Sequence, residues 1–523
     1  MSLCIVGIGG CGGHLAEKFL ENQDVTLKKI LSGSNENQHL TFGGVKGLWL
    51  EADVGETQNQ SFFCPWKEGL NGGYEPSYIV PHQRIKPNSE VSKLIQKKYG
   101  YDIKKHGFVR EAAFSKAVFE IFENDDEIKD LAKKEYMSKD PVMRDAWNCI
   151  RPYTTLSDTG ENGNGLKLCD GILFIASLGG GTGTGFVNPI TSYIRAERKD
   201  YPVFVLGVLT ERGVDPQQQV EEEKRDMGAV ISLHDLITKK RGVSNNGLIL
   251  IDNQILIDKL GRNYQTIDRY IYQAMKPLVA SCHYPGEDPS STPLGDQFSR
   301  EWDWTPLLVP CYHKEKRKKD PENKLVKKAL KYGRLFGCDC KEADKVYVFS
   351  RGFLNRDKLI EAVARYTNIS PDGNDILPWR KLGDNRHDEI LILLRNPYGR
   401  KGAFEERGTL ENRLYQIIEM AMKYMTEKKG EILSAGGTDR TKNALETYFF
   451  GDNGLEDRLN VALSRIENGE KPFFKDELKI FGKTQTPVDA IGWESEIHAG
   501  LSEGEIRAIV QDELRRIGHF PGS

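Results

Sequence analysis

The sequence predicts an α/β protein: an N-terminal domain built on a parallel sheet, a long central helix, a second α/β domain and C-terminal helices. Three observations predict it. Continuous apolar runs such as Gly171–Leu178, Pro202–Leu209 and Gly247–Ile251 alternate with helix-length stretches, the pattern of parallel strands covered on both faces. Two apolar runs end in glycine-rich loops that open directly into helices. The composition is that of an ordinary globular chain: 523 residues, 38% hydrophobic and 28% charged, long enough for about two to three large domains.

The elements follow in order. Leu3–Val6 is the first strand and runs into Gly7-Ile8-Gly9-Gly10-Cys11-Gly12-Gly13. Leu15, Ala16, Phe19 and Leu20 then fall at helical spacing. Leu48–Ala52 is the next strand and ends at Asp53; residues 55–105 read as a long excursion, and 109–136 as one long helix. After the strand Gly171–Leu178 comes a second loop, Gly179–Gly185, and a helix. The strand Pro202–Leu209, a Glu-rich helix over 217–239 and the strand Gly247–Ile251 complete this half. A helix of roughly 20 residues starts near Tyr264. Strands return at Leu307–Pro310, Lys345–Phe349 and Glu389–Leu394. The helix from Leu410 carries Leu414, Ile417, Ile418, Ala421 and Met425 as one stripe. A last helix opens on the capping box Ser502-x-x-Glu505 and stops at Gly518. The domains expected are 1–263, the central helix 264–284, a second domain 285–400, and its C-terminal part with a helical extension over 401–523.

Charge and composition exclude several classes. A net charge of −3 gives no general attraction to nucleic acid or anionic membranes. No apolar run approaches the roughly 18 residues that span a bilayer, and the N-terminus lacks the basic start of a secretory signal. Nine cysteines with no CxxC fit free thiols in a reducing, cytoplasmic setting. Cys311-x-His313 and Cys338-x-Cys340 are spaced more tightly than usual zinc ligands, and buried thiols are the expected reading. The stretch 314–334 holds ten Lys or Arg against three acids; Leu325, Ala329, Tyr332 and Phe336 at helical spacing mark it as a solvated helix with one buried side.

The glycine loops carry the chemistry. Gly7-x-Gly9-x-x-Gly12 between a strand and a helix permits a tight turn and close approach of an anion to the helix N-terminus. Alone it is also compatible with a plain turn. Ser177-Leu178-Gly179-Gly180-Gly181-Thr182-Gly183-Thr184-Gly185 is more specific: its bare N–H groups are suited to wrap phosphates, and the threonines add donors. So many glycines cost too much entropy for a structural turn.

SLGGGTGTG resembles the signature of the tubulin/FtsZ superfamily, and GIGGCGG resembles that family's first phosphate loop. The resemblance assigns Gly9, Gly10, Cys11 and Gly12, with Ser177, Gly180, Gly181, Thr182, Gly183 and Thr184, to nucleotide binding, and Asp53 to the metal and phosphates. Leu250-Ile251-Asp252-Asn253-Gln254-x-Leu256-x-Asp258 resembles the tubulin segment whose Asn contacts guanine. Tyr264-x-x-x-Asp268 then matches the aromatic residue that stacks on the base and the acid that reads its edge. An aspartate accepts from the guanine N1–H and N2–H₂ pair, which adenine lacks. The match runs over residues 1–285 and continues more weakly through Val346–Gly352 and helices at 409–427 and 454–467; FtsZ, tubulin and CetZ-type proteins remain equally open as the nearest subfamily. A GKT at Gly482–Thr484 has Glu477 where a Walker A loop needs glycine.

Two parts of the family pattern are altered. In place of a glycine-rich γ-phosphate loop stands His106-Gly107-Phe108-Val109-Arg110, where Arg110 is either a γ-phosphate ligand or a surface residue at a helix start. The family's catalytic loop, which completes the site of the next subunit, aligns with Leu294–Glu301; Asp296 takes the acid position, with Glu301 or Asp303 in support. For the ribose, Asp215 and Glu221 are both candidates. The resemblance thus implies GTP/GDP and Mg²⁺ as cofactors and the chain itself as head-to-tail partner, with GTP hydrolysis switched on by assembly. It implies no nucleic acid and no membrane insertion, and the capped C-terminal helix is unlike the membrane-recruiting tail of FtsZ. Two other readings stay open: a non-polymerising GTP-binding regulator, and a dinucleotide-dependent oxidoreductase built on the first loop.

Overall fold

The computed structural model describes residues 3–21, 46–50, 77–79, 89–99, 125–136, 171–197, 202–212, 219–237, 247–282, 306–352, 354–371, 375–381, 386–398, 401–434 and 439–472. All of them lie in one compact unit, Met1–Phe474. Their strands form one ten-stranded sheet of order β3-β2-β1-β4-β5-β6-β7-β10-β8-β9. The strands are β1 (Leu3–Ile8), β2 (Lys46–Leu50), β3 (Ser77–Ile79), β4 (Gly171–Ser177), β5 (Val203–Leu209), β6 (Gly247–Asp252), β7 (Leu307–Lys316), β8 (Lys345–Arg351), β9 (Ile376–Lys381) and β10 (His387–Arg395).

The apolar runs are continuous because the sheet is covered on both sides. Successive residues alternate between two cores: Cys4, Val6, Ile172, Phe174, Val205 and Leu250 enter one, while Ile5, Leu173, Ile175, Leu206 and Ile249 enter the other. Helix α1 (Gly9–Glu21) covers the second face with Leu15, Ala16 and Phe19. The long helix that follows β6 covers it too, through Ile267, Ile271, Tyr272, Met275 and Leu278; this helix, Tyr264–Cys282, runs 19 residues, as expected. Phe19 and Tyr272 meet edge to face, with ring centres 5.2 Å apart.

The first six strands are all parallel, in the order of a doubly wound dinucleotide fold. Strands β6 and β7 pair only through Leu248–Leu307 and Ile249–Leu308, and this narrow seam joins the two halves of the sheet. Beyond it β10 runs antiparallel between β7 and β8. That pairing carries β7 on to Lys316, β8 to Arg351 and β10 back to His387, each past the apolar run visible in the sequence.

Several expectations change. The excursion 55–105 contains β3, parallel to β2, and a helix α2 (Glu90–Tyr99), whose Val91 and Ile95 share the first core with Ile128 and Ala132. Within 109–136 a helix boundary stands at Asp125: its carboxylate accepts from Ile128 N at 3.1 Å and caps α3 (Asp126–Tyr136). Strand β9, with Pro378 in it, is an edge strand that the sequence reading lacks. In the basic stretch, the helix Glu322–Tyr332 buries Leu325, Val326, Ala329 and Leu330, but Tyr332 is 63% exposed, because the helix ends there at Gly333. Helix Leu410–Glu427 buries the predicted stripe and is capped by Thr409, whose hydroxyl accepts from Asn412 N at 3.2 Å. Helix Leu455–Glu467 also stands where the resemblance placed one. The capped helix over 502–518 lies outside the described residues. No described helix is long and apolar enough to cross a membrane.

Candidate functional site

In a doubly wound sheet, ligands bind beyond the carboxyl ends of the strands, where successive crossovers leave for opposite faces. That point here lies between β1 and β4. Helix α1 leaves β1 toward one core, and α4 (Gly181–Glu197) leaves β4 toward the other. Both helix N-termini open into a cleft of about 900 Å³. Ile8–Cys11 and His14 line it from the first loop, Ser177 and Gly179–Gly183 from the second, and Val208–Glu211 from the end of β5. Glu221, Lys224 and Arg225 come from α5 (Gln219–Ile237), Asn253 from α6 (Asn253–Leu260), and Tyr264, Asp268 and Ile271 from the central helix, α7.

The first loop depends on a left-handed turn at Gly9, where φ is +71°. A Cβ there would stand 3.4 Å from Gly183 N, so the two loops meet back to back. The second loop is packed as tightly. A Cβ on Gly183 would fall far inside van der Waals distance of the Ser177 carbonyl oxygen. Gly181 is the first residue of α4, and positive φ among these loop glycines is confined to Gly9. The N–H groups of the two helix starts are attractive to anions, and Lys224 and Arg225 line the same cleft.

Another part of the lining is acidic and aromatic. Burial pushes the Asp268 carboxyl up to about 6, against the opposing pull of His14 and Lys18. The Tyr264 ring is half exposed, and its hydroxyl donates to Glu211. Cys11 is exposed in the lining of the cleft. Desolvation, with Asp268 and Glu211 nearby, raises its thiol to about 12, so it stays neutral. Asn253 Oδ1 is buried and has no hydrogen-bond partner among the described residues.

Asn253 is held by the residue before it. Asp252 caps α6 by accepting from Gln254 N at 3.0 Å, and its carboxylate takes Arg413 Nε at 2.8 Å from α10 (Leu410–Glu427). Arg413 also donates to the Thr210 carbonyl at 2.9 Å. Beside it, Arg212 N donates to Gln254 Oε1, its guanidinium donates to Gln416 Oε1, and it pairs with Asp226 at 3.6 Å. This buried ionic group clamps the ends of β5 and β6 to α10. Burial raises Asp252 and carries Asp226 up to about 6, while Arg413 draws both back down.

Of the residues expected in the site, Gly9, Gly10, Cys11, Ser177, Gly180, Gly181, Thr182, Gly183, Glu221, Asn253, Tyr264 and Asp268 line this one cleft. Gly12 and Thr184 do not. Gly12 packs against the Ile175 carbonyl of β4, and Thr184 Oγ1 turns back to donate to Leu178 O at 2.8 Å. Asp53, Arg110, Asp215, Asp296 and Glu301 lie outside the described residues. Sequence reasoning missed His14, Glu211, Lys224, Arg225 and Arg413. Glu211 was findable, since it stands just past the carboxyl end of a buried strand; Lys224 and Arg225 lie one helical turn beyond Glu221. Nothing local marks Arg413. Among the described residues no group of three or more His, Cys, Asp or Glu side chains is arranged to hold a metal.

No protein-family model and no curated protein sequence matches the chain. Solved structures do. The chain is similar to CetZ2 from Haloferax volcanii as a GTPγS-bound protofilament, at a TM-score of 0.51 and 15% identity, over 82% of this chain and 100% of that one. It is similar to the GDP-bound CetZ1 monomer from the same organism at 0.50 and 15%, over 81% and 99%. At this identity the likeness shows the fold alone, one shared with the CetZ structures.

Proposed function

We propose that the chain binds GTP and GDP in this cleft, assembles head to tail with copies of itself in the cytoplasm, and hydrolyses GTP where subunits meet. The observation that carries the reading is the buried, unpartnered Asn253 Oδ1, in a wall it shares with Tyr264 and Asp268. A buried amide oxygen without a partner costs about 1–3 kcal/mol, and a guanine edge supplies the missing donor. The anion-attracting loops that line the same cleft suit the phosphates.

The roles divide accordingly. Tyr264 offers its face to the purine, and Asp268 and Asn253 read its edge. Glu211 and Glu221 stand beside the ribose, and the N–H groups of Gly9–Cys11 and Gly180–Gly183 hold the phosphates. Mg²⁺ would neutralise phosphate charge when bound, with Asp53 its candidate ligand. Asp296, supported by Glu301, would orient the attacking water at a neighbour's γ-phosphate, and Arg110 and Asp215 are further nucleotide contacts. Self-assembly is favoured by the CetZ2 protofilament of the same fold.

The test has two stages. Calorimetry with GTP, ATP and NAD should show GTP alone binding tightly; preference for ATP or NAD overturns the guanine assignment. Electron microscopy with GTP and GDP, together with turnover measured across protein concentration, should then show filaments and a specific activity that climbs above a threshold concentration. Tight GTP binding with flat activity and no filaments would favour a non-polymerising GTP-binding regulator. Asp296→Ala should bind and assemble but lose about 10²–10⁴ in rate.

A further inference from the structure

Two residues of the cleft wall, Glu211 and Asn253, stand just past the ends of the adjacent strands β5 and β6, and the neighbours of each are tied down. Before Glu211, the Thr210 carbonyl accepts from Arg413 Nη2 at 2.9 Å; after it, Arg212 N donates to Gln254 Oε1 at 2.9 Å. Before Asn253, the Asp252 carboxylate accepts from Arg413 Nε at 2.8 Å, and Asp252 N donates to Leu335 O at 2.9 Å. After it, Gln254 donates from its N–H to Asp252 Oδ1 at 3.0 Å and from its side-chain amide to Asp258 Oδ1 at 2.7 Å. One buried guanidinium thus holds both strand ends, and Gln254 laces them to each other. A second line reaches α10 through Arg212 Nη1, which donates to Gln416 Oε1 at 2.9 Å. Gln416 Nε2 donates in turn to Asn412 Oδ1 at 3.0 Å, and Asn412 Nδ2 to Phe404 O at 2.6 Å. Neither Arg413 nor Gln416 lines the cleft.

Resting on the nucleotide reading of the cleft, we propose that Arg413 and Gln416 of α10 are positioning residues that set its selectivity. They fix the backbone from which Asn253 and Glu211 present their side chains. They thereby decide how sharply the cleft tells guanine from hypoxanthine and ribose from deoxyribose, without touching the nucleotide themselves.

The two cleft residues need this support because their own side chains give little. Asn253 Oδ1 has no partner among the described residues, and Glu211 is joined to Tyr264, which is itself half exposed. Strand pairing fixes the backbone only as far as Leu209 and Asp252, the last matched pair of β5 and β6. From there the bonds to Arg413, Arg212 and Gln254 take over. Stacking on Tyr264 tolerates a small drift of this wall. A hydrogen bond weakens steeply with angle and distance, and a polar site has to be held to within about 0.5 Å by the groups behind it. Guanine's 2-amino group is the donor that Asn253 Oδ1 lacks, and hypoxanthine has no such group. The same bonds hold Glu211 and Asn253, so loosening them should blunt base and sugar discrimination together. Lysine at 413 would keep a charge beside Asp252 but lose the planar fork that reaches Asp252 and Thr210 at once.

The full chain should be compared with Arg413→Lys, Gln416→Ala and Met425→Ala in two measurements. Calorimetry with GTP, ITP and 2′-deoxy-GTP reads selectivity. The wild type should prefer GTP to ITP by about 5–150-fold, the cost of leaving one buried amide oxygen without a donor. In Arg413→Lys and Gln416→Ala the GTP/ITP and GTP/2′-deoxy-GTP ratios should both fall about 2–10-fold, the net worth of a typical hydrogen bond. Met425→Ala removes buried packing farther along α10; it should lower the melting temperature and keep the wild-type ratios. Hydrogen exchange on the nucleotide-free chain reads the support itself. The Arg212 and Gln254 amides should exchange faster in Arg413→Lys and Gln416→Ala and not in Met425→Ala. Gln416 is only half-buried, so the test stands even if Arg413→Lys does not fold. Wild-type ratios in Gln416→Ala would overturn the positioning role, and unchanged exchange would overturn the support whether or not a nucleotide binds. A wild type that binds no guanine nucleotide would overturn the reading on which the proposal rests, and the exchange result would still decide whether α10 holds the wall.

Discussion

Replacing Asp268 with Asn separates the two things its carboxylate does. Burial lifts this group to about 6 from an ordinary 3.8. Keeping it ionised therefore costs about 2–3 kcal/mol, with water in the open cleft holding the figure to that range. Two charge-assisted hydrogen bonds from a guanine edge, at about 1.5–3 kcal/mol each, return that cost. Only the ionised carboxylate accepts both, so the competent fraction is about one half at pH 6 and roughly a tenth at pH 5, and GTP affinity should fall about tenfold between pH 7.5 and pH 5. Because the folded value lies above the unfolded one, the stability linked to this group is full below about pH 4 and lost as pH rises through about 6. Asp268→Asn should thus raise the melting temperature of the nucleotide-free protein at pH 7.5 and leave it unchanged at pH 4. It should weaken GTP binding by about 10–100-fold and improve binding of XTP, whose O2 accepts the new amide N–H. Calorimetry across pH reads both, and titration of the nucleotide's own phosphates cancels between variant and wild type. A wild-type GTP affinity flat from pH 7.5 to pH 5, or an Asp268→Asn protein with the wild-type affinity and profile, would refute this account of base reading.

Other changes probe the rest of the site. Gly183→Ala drives a methyl into the Ser177 carbonyl; calorimetry should find nucleotide binding lost, and melting should show a destabilisation of about 1–3 kcal/mol. Tyr264→Phe removes only the bond to Glu211 and should change GTP affinity a few-fold, whereas Tyr264→Ala removes the stacking face and should cost about 1–3 kcal/mol of binding. Arg413→Met strands the buried Asp252 carboxylate and should destabilise the protein by about 3–5 kcal/mol near neutral pH by denaturant titration. That loss should shrink in acid, since burial already favours the protonated form of Asp252, and Asp252→Asn in the same chain should recover part of it.

Residues close in sequence determined much of this protein. Strands buried on both faces must be apolar at every position, so β4, β5 and β6 were visible as unbroken runs, and each divides its residues between two cores as that requires. The glycine loops were legible because glycine at such density is tolerated only where backbones approach closely, as Gly9 and Gly183 do. Asn253, Tyr264 and Asp268 were singled out by the resemblance of one strand–helix–helix segment, and they line one cleft. What the tertiary structure alone decided lies in partners brought together from far apart. Among the described strands β9 has a single neighbour, and it carries a proline, so its pattern asks little of the sequence. Tyr332 fits a helical stripe but falls where the helix has run out of core. Arg413 meets Asp252 across 161 positions, and Cys311 pairs with Arg334 only after the chain doubles back on β7. Local periodicity records which face of an element is buried. Which charge or thiol waits on the opposing element depends on the packing of the whole sheet, and no spacing along the chain encodes it.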